Sequence, residues 1–311
     1  LSGDTGNVKA ETLQKIMEIA EQMGYHRNDL AVHLRQQSTH NIGIIIPEII
    51  TSFYMTFINE AQTILRNQGY KVMIAISNEN PEQERENIQM MEQLRVDGIL
   101  ISVCDKEYNI DLYNKVIENG IPMVFFDRTV EKVKASQVRM DDYIMAFFMV
   151  EALLRKGYKH IIHIPGPAYI RNSYERLSGY RDALEKFHVE YQPQDVLSPA
   201  LSAEEGSWVM KQYLQQNVPF DAVFGFTETA VLGAKSEIQK QGLRIPNDVA
   251  LCCMSGTALA TLVHPQLTAV EQPIGKMAQE SCRLLMEHIT DSNKKTEEIA
   301  LRGETVIRES T

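Results

Sequence analysis

The chain has 311 residues, 44% hydrophobic and 23% charged, a globular profile long enough for two domains with separate cores. It contains no run of about 18 apolar residues, so no membrane span is expected. Residues 1–20 lack the basic start and apolar core of a secretory signal, so a cytoplasmic location is expected. A net charge of −10 argues against a nucleic-acid surface spread over the molecule, though not against a small local module.

Residues 9–23 carry a helical pattern with Leu13, Ile16, Met17, Ile19 and Ala20 on one face, and Gly24 stands where helices commonly end. Tyr25-His26-Arg27-Asn28 follows, then a short pattern Leu30, Ala31, Leu34, Arg35 and a polar linker over 36–41. From Ile42 the rhythm changes. Strands are predicted over 42–46, 72–76, 98–103 and 123–126, with helices over 58–65, 82–94 and 112–117 between them. After Asp142 the alternation resumes. A helix over 144–154 leads to a strand over 161–164, which Pro165-Gly166-Pro167 ends because proline cannot donate to a ladder. A helix starting near Ser173 carries Leu177, Tyr180, Leu184 and Phe187 on one face and places Arg176 in its first turn. Val196 is a short strand candidate. Helices over 208–214 and 231–239 alternate with strands over 222–226 and 249–253, and a last helix spans 274–289. The predicted fold class is α/β: two doubly wound parallel-sheet lobes of similar design, with a short N-terminal helical remnant. In such sheets ligands bind outside the carboxyl ends of the strands.

Motifs for catalysis are missing. There is no G-x-G-x-x-G after a strand, no P-loop, no H-E-x-x-H and no G-x-S-x-G, so no enzyme activity and no cofactor are expected. His160 and His163 flank a strand without a cysteine or carboxylate at ligand spacing. Asp141-Asp142 could be read as a carboxylate pair, but neighbouring residues point different ways, so a helix cap at Asp142 is the better reading. Cys104, Cys252, Cys253 and Cys282 form no C-x-x-C pair and lie in apolar runs; buried reduced thiols are expected and metal binding is not.

Several motifs together carry a family resemblance. The pattern I-x-G-P at 164–167 is followed by R-x-x-G-Y-x-x-A-L at 176–184. Gly242-Leu243-Arg244-Ile245-Pro246-Asn247-Asp248-Val249 resembles G-x-x-V-P-x-D-V. Pro265-Gln266-Leu267-Thr268-Ala269-Val270 resembles P-x-L-T-T-V, and the chain closes on R-x-S-T at 308–311. The chain thus resembles the LacI/GalR (lactose/galactose repressor) family of transcription regulators over its whole length. The resemblance implies that 1–40 is a partial DNA-binding headpiece and hinge helix, without the helix that reads the major groove. It implies DNA contacts from Asn28, Ala31, Leu34 and Arg35, with Leu34 as a minor-groove wedge; read without the resemblance, this segment is a short surface helix. It further implies an N-terminal lobe of 41–141 plus 272–293, a C-terminal lobe of 142–271 plus 294–311, a homodimer, operator DNA as a partner of the full-length protein, and a small carbohydrate-like effector between the lobes.

For the effector, the resemblance nominates Thr51, Ser52, Phe53, Tyr54 and Arg128 from the first lobe, and Arg176, Trp208, Thr227, Glu228 and Ser255 from the second. Arginine suits such a site because its planar fork binds two oxygens at once. Arg128 could instead pair with Asp127 or Glu131 at the surface, Arg176 with Glu175 or Glu185, and Trp208 could pack on the Val209, Tyr213, Leu214 face. Where the family commonly has N-D, this chain has Thr227-Glu228; where it has F-D, Met254-Ser255. With fewer acceptors facing two arginines, an anionic effector such as a uronate or a sugar phosphate is an expectation. A periplasmic-type sugar-binding protein is the rival reading, since it shares the two-lobed architecture.

Overall fold

The computed structural model describes residues 10–23 and 38–311. Helix α1 (Ala10–Gln22) precedes the two lobes. The candidate DNA-contacting residues Asn28, Ala31, Leu34 and Arg35 lie outside the described residues.

The first lobe grows around β1 (Asn41–Ile46), a β-branched run in which Ile42, Ile44, Ile45 and Ile46 are fully buried. A strand covered on both faces reads as an unbroken apolar run rather than an alternation. Its alternate side chains enter different cores. Ile42, Ile44 and Ile46 pack with α2 (Ser52–Asn67) and α10 (Ile274–Thr290), through Phe57, Ala61, Met277 and Leu284. Ile45 packs on the other face with α3 (Pro81–Gln93) and α4 (Ile110–Glu118), through Ile88, Met91 and Tyr113. The sheet adds β2 (Lys71–Ile76), β3 (Gly98–Ile101), β4 (Met123–Phe126), β5 (Ser136–Met140) and β10 (Glu298–Leu301) in the order β10-β5-β4-β3-β1-β2, and every pairing is parallel.

The second lobe repeats the plan. Helices α5 (Asp142–Arg155) and α6 (Arg171–Lys186) cover one face of β6 (Ile161–Ile164), β7 (Ala222–Gly225), β8 (Ala250–Gly256) and β9 (Thr268–Glu271). Helices α7 (Ala203–Leu214) and α8 (Glu228–Lys240) cover the other, and a short α9 (Leu259–Leu262) follows β8. The edge strand β11 (Glu304–Val306) pairs antiparallel with β9. Val196 makes a single parallel bridge to His163 rather than a strand.

Three local readings are corrected. Residues 298–301 belong to the first sheet, not the second lobe, because β10 pairs with β5 and buries Leu301 in the first core. Helix α6 begins at Arg171, two residues earlier than expected, so Arg176 sits in its second turn rather than its first. Asp141, not Asp142, caps α5 by accepting the Ile144 N–H at 3.2 Å, which leaves the Asp142 carboxylate for another partner. All four cysteines are free and buried. Among the described residues, no helix is long and apolar enough to cross a membrane.

Helices α7 and α8 meet backbone to backbone. A Cβ on Gly206 would stand 2.0 Å from the Ala230 carbonyl oxygen, and one on Gly233 2.0 Å from that of Ala203. Gly233→Val should therefore force the pair apart and cost about 1–3 kcal/mol, the usual range for overpacking. Urea unfolding checks this, with Gly275→Ala as a control, since its Cβ meets nothing within 4 Å.

Candidate functional site

The carboxyl ends of the two sheets enclose a cavity of about 260 Å³. Every expected effector residue except Trp208 lines it: Thr51, Ser52, Phe53, Tyr54 and Arg128 from the first lobe, and Arg176, Thr227, Glu228 and Ser255 from the second. Trp208 is corrected. It is 59% exposed on α7 and is not among the lining residues, because Gly206, Val209, Met210 and Tyr213 form the buried face of that helix.

The first-lobe wall starts where β1 ends. The Glu48 carboxylate accepts the Thr51 N–H at 2.9 Å and is also bonded by the Ile50 N–H and the Thr51 hydroxyl. This folds the chain into the start of α2 and buries Phe53 and Tyr54. The Tyr54 hydroxyl donates to Asp127 Oδ2 at 2.9 Å and lies 3.1 Å from Ser102 Oγ. Burial holds the Tyr54 hydroxyl well above its ordinary pKa, so it serves as a donor. Asp127 follows β4 with a φ of 55°, a left-handed conformation that costs energy in a residue with a Cβ. Burial also raises its carboxyl pKa.

Both arginines are already paired, by partners other than those weighed from the sequence. Arg128 forms a two-pronged contact with Glu79, at 2.7 and 2.9 Å. Asn78 and Glu79 both have positive φ, 50° and 54°, and this bend after β2 brings Glu79 to the arginine. Arg176 donates from Nε to Asp142 Oδ1 at 2.6 Å and from Nη1 to the Phe226 carbonyl at 2.7 Å, and its guanidinium stacks on the Phe226 ring at 4.2 Å. The premise behind an anionic effector, two arginines short of acceptors, is thereby corrected.

The remaining wall is rich in acceptors. Glu228 takes the Thr257 N–H at 3.2 Å and its hydroxyl at 2.6 Å, while its own N–H donates to Ser255 Oγ at 3.2 Å. Thr227 caps α8 by accepting the Ala230 N–H, so its hydroxyl does a helix-starting task as well as facing the cleft. Glu48, Asp127 and Glu228 take hydrogen bonds from neutral donors, and none of the three has an ion-pair partner within 4 Å among the described residues. Asn172 of the second lobe reaches across to Asp127 Oδ1 at 3.4 Å. Gln272, at the return crossing, lines the cavity with a buried Oε1 that has no hydrogen-bond partner among the described residues. Glu48, Asn172, Thr257 and Gln272 were missed from the sequence. Asn172 had a usable signal, since it precedes Arg176 by four residues and shares its helix face.

Comparison with known proteins comes to the same architecture. Residues 39–302 match the family described as periplasmic binding proteins and sugar binding domain of LacI family. The chain is 26% identical to the ribose operon repressor of Halalkalibacterium halodurans over 98% of its own length and 90% of that protein's. It is also 26% identical to the HTH-type transcriptional repressor CytR of Escherichia coli K12, covering 98% and 89%. A solved transcriptional regulator CelR–cellobiose complex superposes with a TM-score of 0.81 at 24% identity, over 98% of this chain and 92% of that one. A sugar-binding LacI-family regulator from Escherichia coli complexed with phosphate superposes at 0.76 with 22% identity, over 88% and 99%. With a two-lobed parallel fold, a cleft at the strand ends and a family match over most of its length, the chain belongs to the family of periplasmic binding proteins and LacI-type sugar-binding domains, as a LacI/GalR-type regulator.

Proposed function

We propose that the cleft binds a neutral, hydroxyl-rich effector of carbohydrate type, and that this binding changes the operator affinity of a cytoplasmic, homodimeric repressor. The observation that carries the neutral assignment is the pairing of Arg128 with Glu79 and Arg176 with Asp142, which leaves Glu48, Asp127 and Glu228 to face the cavity. An anion entering there meets carboxylates without gaining a free cation. A sugar hydroxyl donates to those carboxylates and to the orphaned Gln272 oxygen, and a buried acceptor left unpaired is costly. The volume lies just below the roughly 300–1,000 Å³ usual for ligand pockets, in keeping with a small polar molecule. The regulator reading is favoured over the periplasmic one because the similarity to named transcriptional repressors spans 98% of the chain. The effector acts only through its difference in affinity for the two lobe arrangements.

A thermal-shift panel tests the chemistry. Neutral pentoses, hexoses, disaccharides and nucleosides are set against uronates and sugar phosphates. A neutral member should raise the melting temperature, and Glu228→Gln should weaken its binding about tenfold or more, the cost of one charge-assisted hydrogen bond. Stabilisation by the anions alone would overturn the assignment. Trp208→Phe should leave affinity within about twofold, or 0.4 kcal/mol, because the indole stands outside the cleft.

A further inference from the structure

Beside the cleft, four charged side chains close a ring across the lobe boundary. Arg139 on β5 and Glu298 on β10 belong to the first lobe and pair at 2.9 Å. Arg171 and Glu175 on α6 belong to the second and pair at 2.9 Å. Two contacts join the halves: Arg139 to Glu175 at 3.0 Å and Arg171 to Glu298 at 3.4 Å. Arg171 also reaches Thr129 Oγ1 of the first lobe at 3.3 Å and lies 3.5 Å from Glu131. The side chains of Arg139, Arg171 and Glu175 are only 14–15% exposed, so their attraction is less screened than that of surface pairs.

The division of charge matters more than the number of contacts. Each lobe contributes one arginine and one glutamate that already pair with each other. If the lobes rotate apart, the cross-lobe contacts break, the exposed Glu131 returns to solvent, and neither half of the ring is left with a net buried charge. A ring that stranded a charge on opening would behave as a fixed lock; this one can open and reclose at low cost. The same turns of α6 serve the cleft, since Asn172 and Arg176 each follow a ring residue by one position and line the cavity.

We propose that Arg139, Arg171, Glu175 and Glu298 form a salt-sensitive latch that holds the two lobes in the arrangement that builds the cleft. The latch extends beyond the effector reading, because it acts whichever ligand the cleft takes. It makes the lobe equilibrium respond to ionic strength, and the four residues are positioning residues rather than ligand contacts.

The test measures energy transfer between dyes on Glu86→Cys in the first lobe and Gln212→Cys in the second, both exposed positions, with no ligand present. The native cysteines are buried and stay unlabelled. Labelled protein is mixed into excess unlabelled protein so that transfer occurs within one chain. Raising NaCl from 0.05 to 1 M, which shortens the screening length from above 10 Å to about 3 Å, should shift the transfer efficiency. Arg171→Glu with Glu175→Arg keeps the pair within α6 but makes the cross-lobe ion pairs repulsive, the one to Glu131 included. At low salt it should already show the high-salt efficiency and lose the response to NaCl. Adding Arg139→Glu and Glu298→Arg, with Glu131→Lys because Glu131 also faces position 171, reverses every ion pair across the boundary and should restore wild-type behaviour. A salt-independent wild type, or a half-reversed ring matching wild type at both salts, overturns the latch. Loss of structure in the variants would show as a lowered unfolding midpoint, which full reversal would not repair if the effect were merely local packing.

Discussion

Arg176→Met is expected to destabilise the second lobe by about 3–5 kcal/mol, the cost of breaking a buried ion pair from one side. The arginine side chain is 4% exposed and that of its partner Asp142 1%. Methionine fills much of the volume but leaves the Asp142 carboxylate and the Phe226 carbonyl without their donor. Burial already lifts the Asp142 pKa to about 6, and removing the cation would raise it further. The double variant Asp142→Asn, Arg176→Met should therefore recover a large part of the loss, because no charge remains to be buried. Chemical denaturation of the three proteins measures it. A loss in the single variant below about 1 kcal/mol would mean that the pair is solvated and does not act as a buried ion pair. Loss of effector binding in an Arg176 variant is consequently not proof of a ligand contact, since the helix start and the cleft wall go with it.

The second large effect belongs to His163. It is fully buried, stacked on Phe224 at 4.8 Å and on Tyr180 at 5.4 Å between ring centroids. Its Nδ1–H donates to the Phe224 carbonyl at 2.9 Å, and Nε2 has no hydrogen-bond partner among the described residues. Burial lowers its pKa to about 4, because a proton on Nε2 would place a charge in an apolar core with no acceptor. The unfolded chain protonates near 6.5, so below that pH protons favour unfolding. The contribution is complete above about pH 6.5, is lost as pH falls, and levels off below about pH 4. The window amounts to on the order of 3 kcal/mol at 1.36 kcal/mol per pH unit. His163→Phe should remove this slope while keeping the stack, so that the difference between the two stability curves grows between pH 6.5 and 4. Parallel curves would show that His163 does not carry the acid response.

The elements that were legible from the sequence are those with strong, long periodicity. The strands over 123–126 and 161–164 fall where their apolar runs end, and the helices differ mainly by a turn at their starts, where capping rather than burial sets the boundary. The strands missed are the polar β5, Ser-Gln-Val-Arg-Met, the short β9, Thr-Ala-Val-Glu, and the edge strands β10 and β11, whose residues are mostly half exposed or exposed. Their pairing is decided by neighbours far away in the chain, not by their own pattern.

For the cleft, the residues at strand ends came together because a doubly wound sheet gathers those ends wherever it forms. Trp208 failed because it sits on the exposed side of a helix whose buried face is set by glycine contacts with α8.

The sequence by itself determined the α/β alternation, the two-lobed plan and the family, since these depend on local periodicity and on motifs that can be read in place. Only the tertiary structure decided what the cleft can bind. Glu79 reaches Arg128 across 49 residues and Asp142 reaches Arg176 across 34, one through a left-handed bend after β2 and the other through a cap displaced by one residue. An arginine's effective charge depends on what stands within a few ångströms of it, and that distance is a property of the folded backbone.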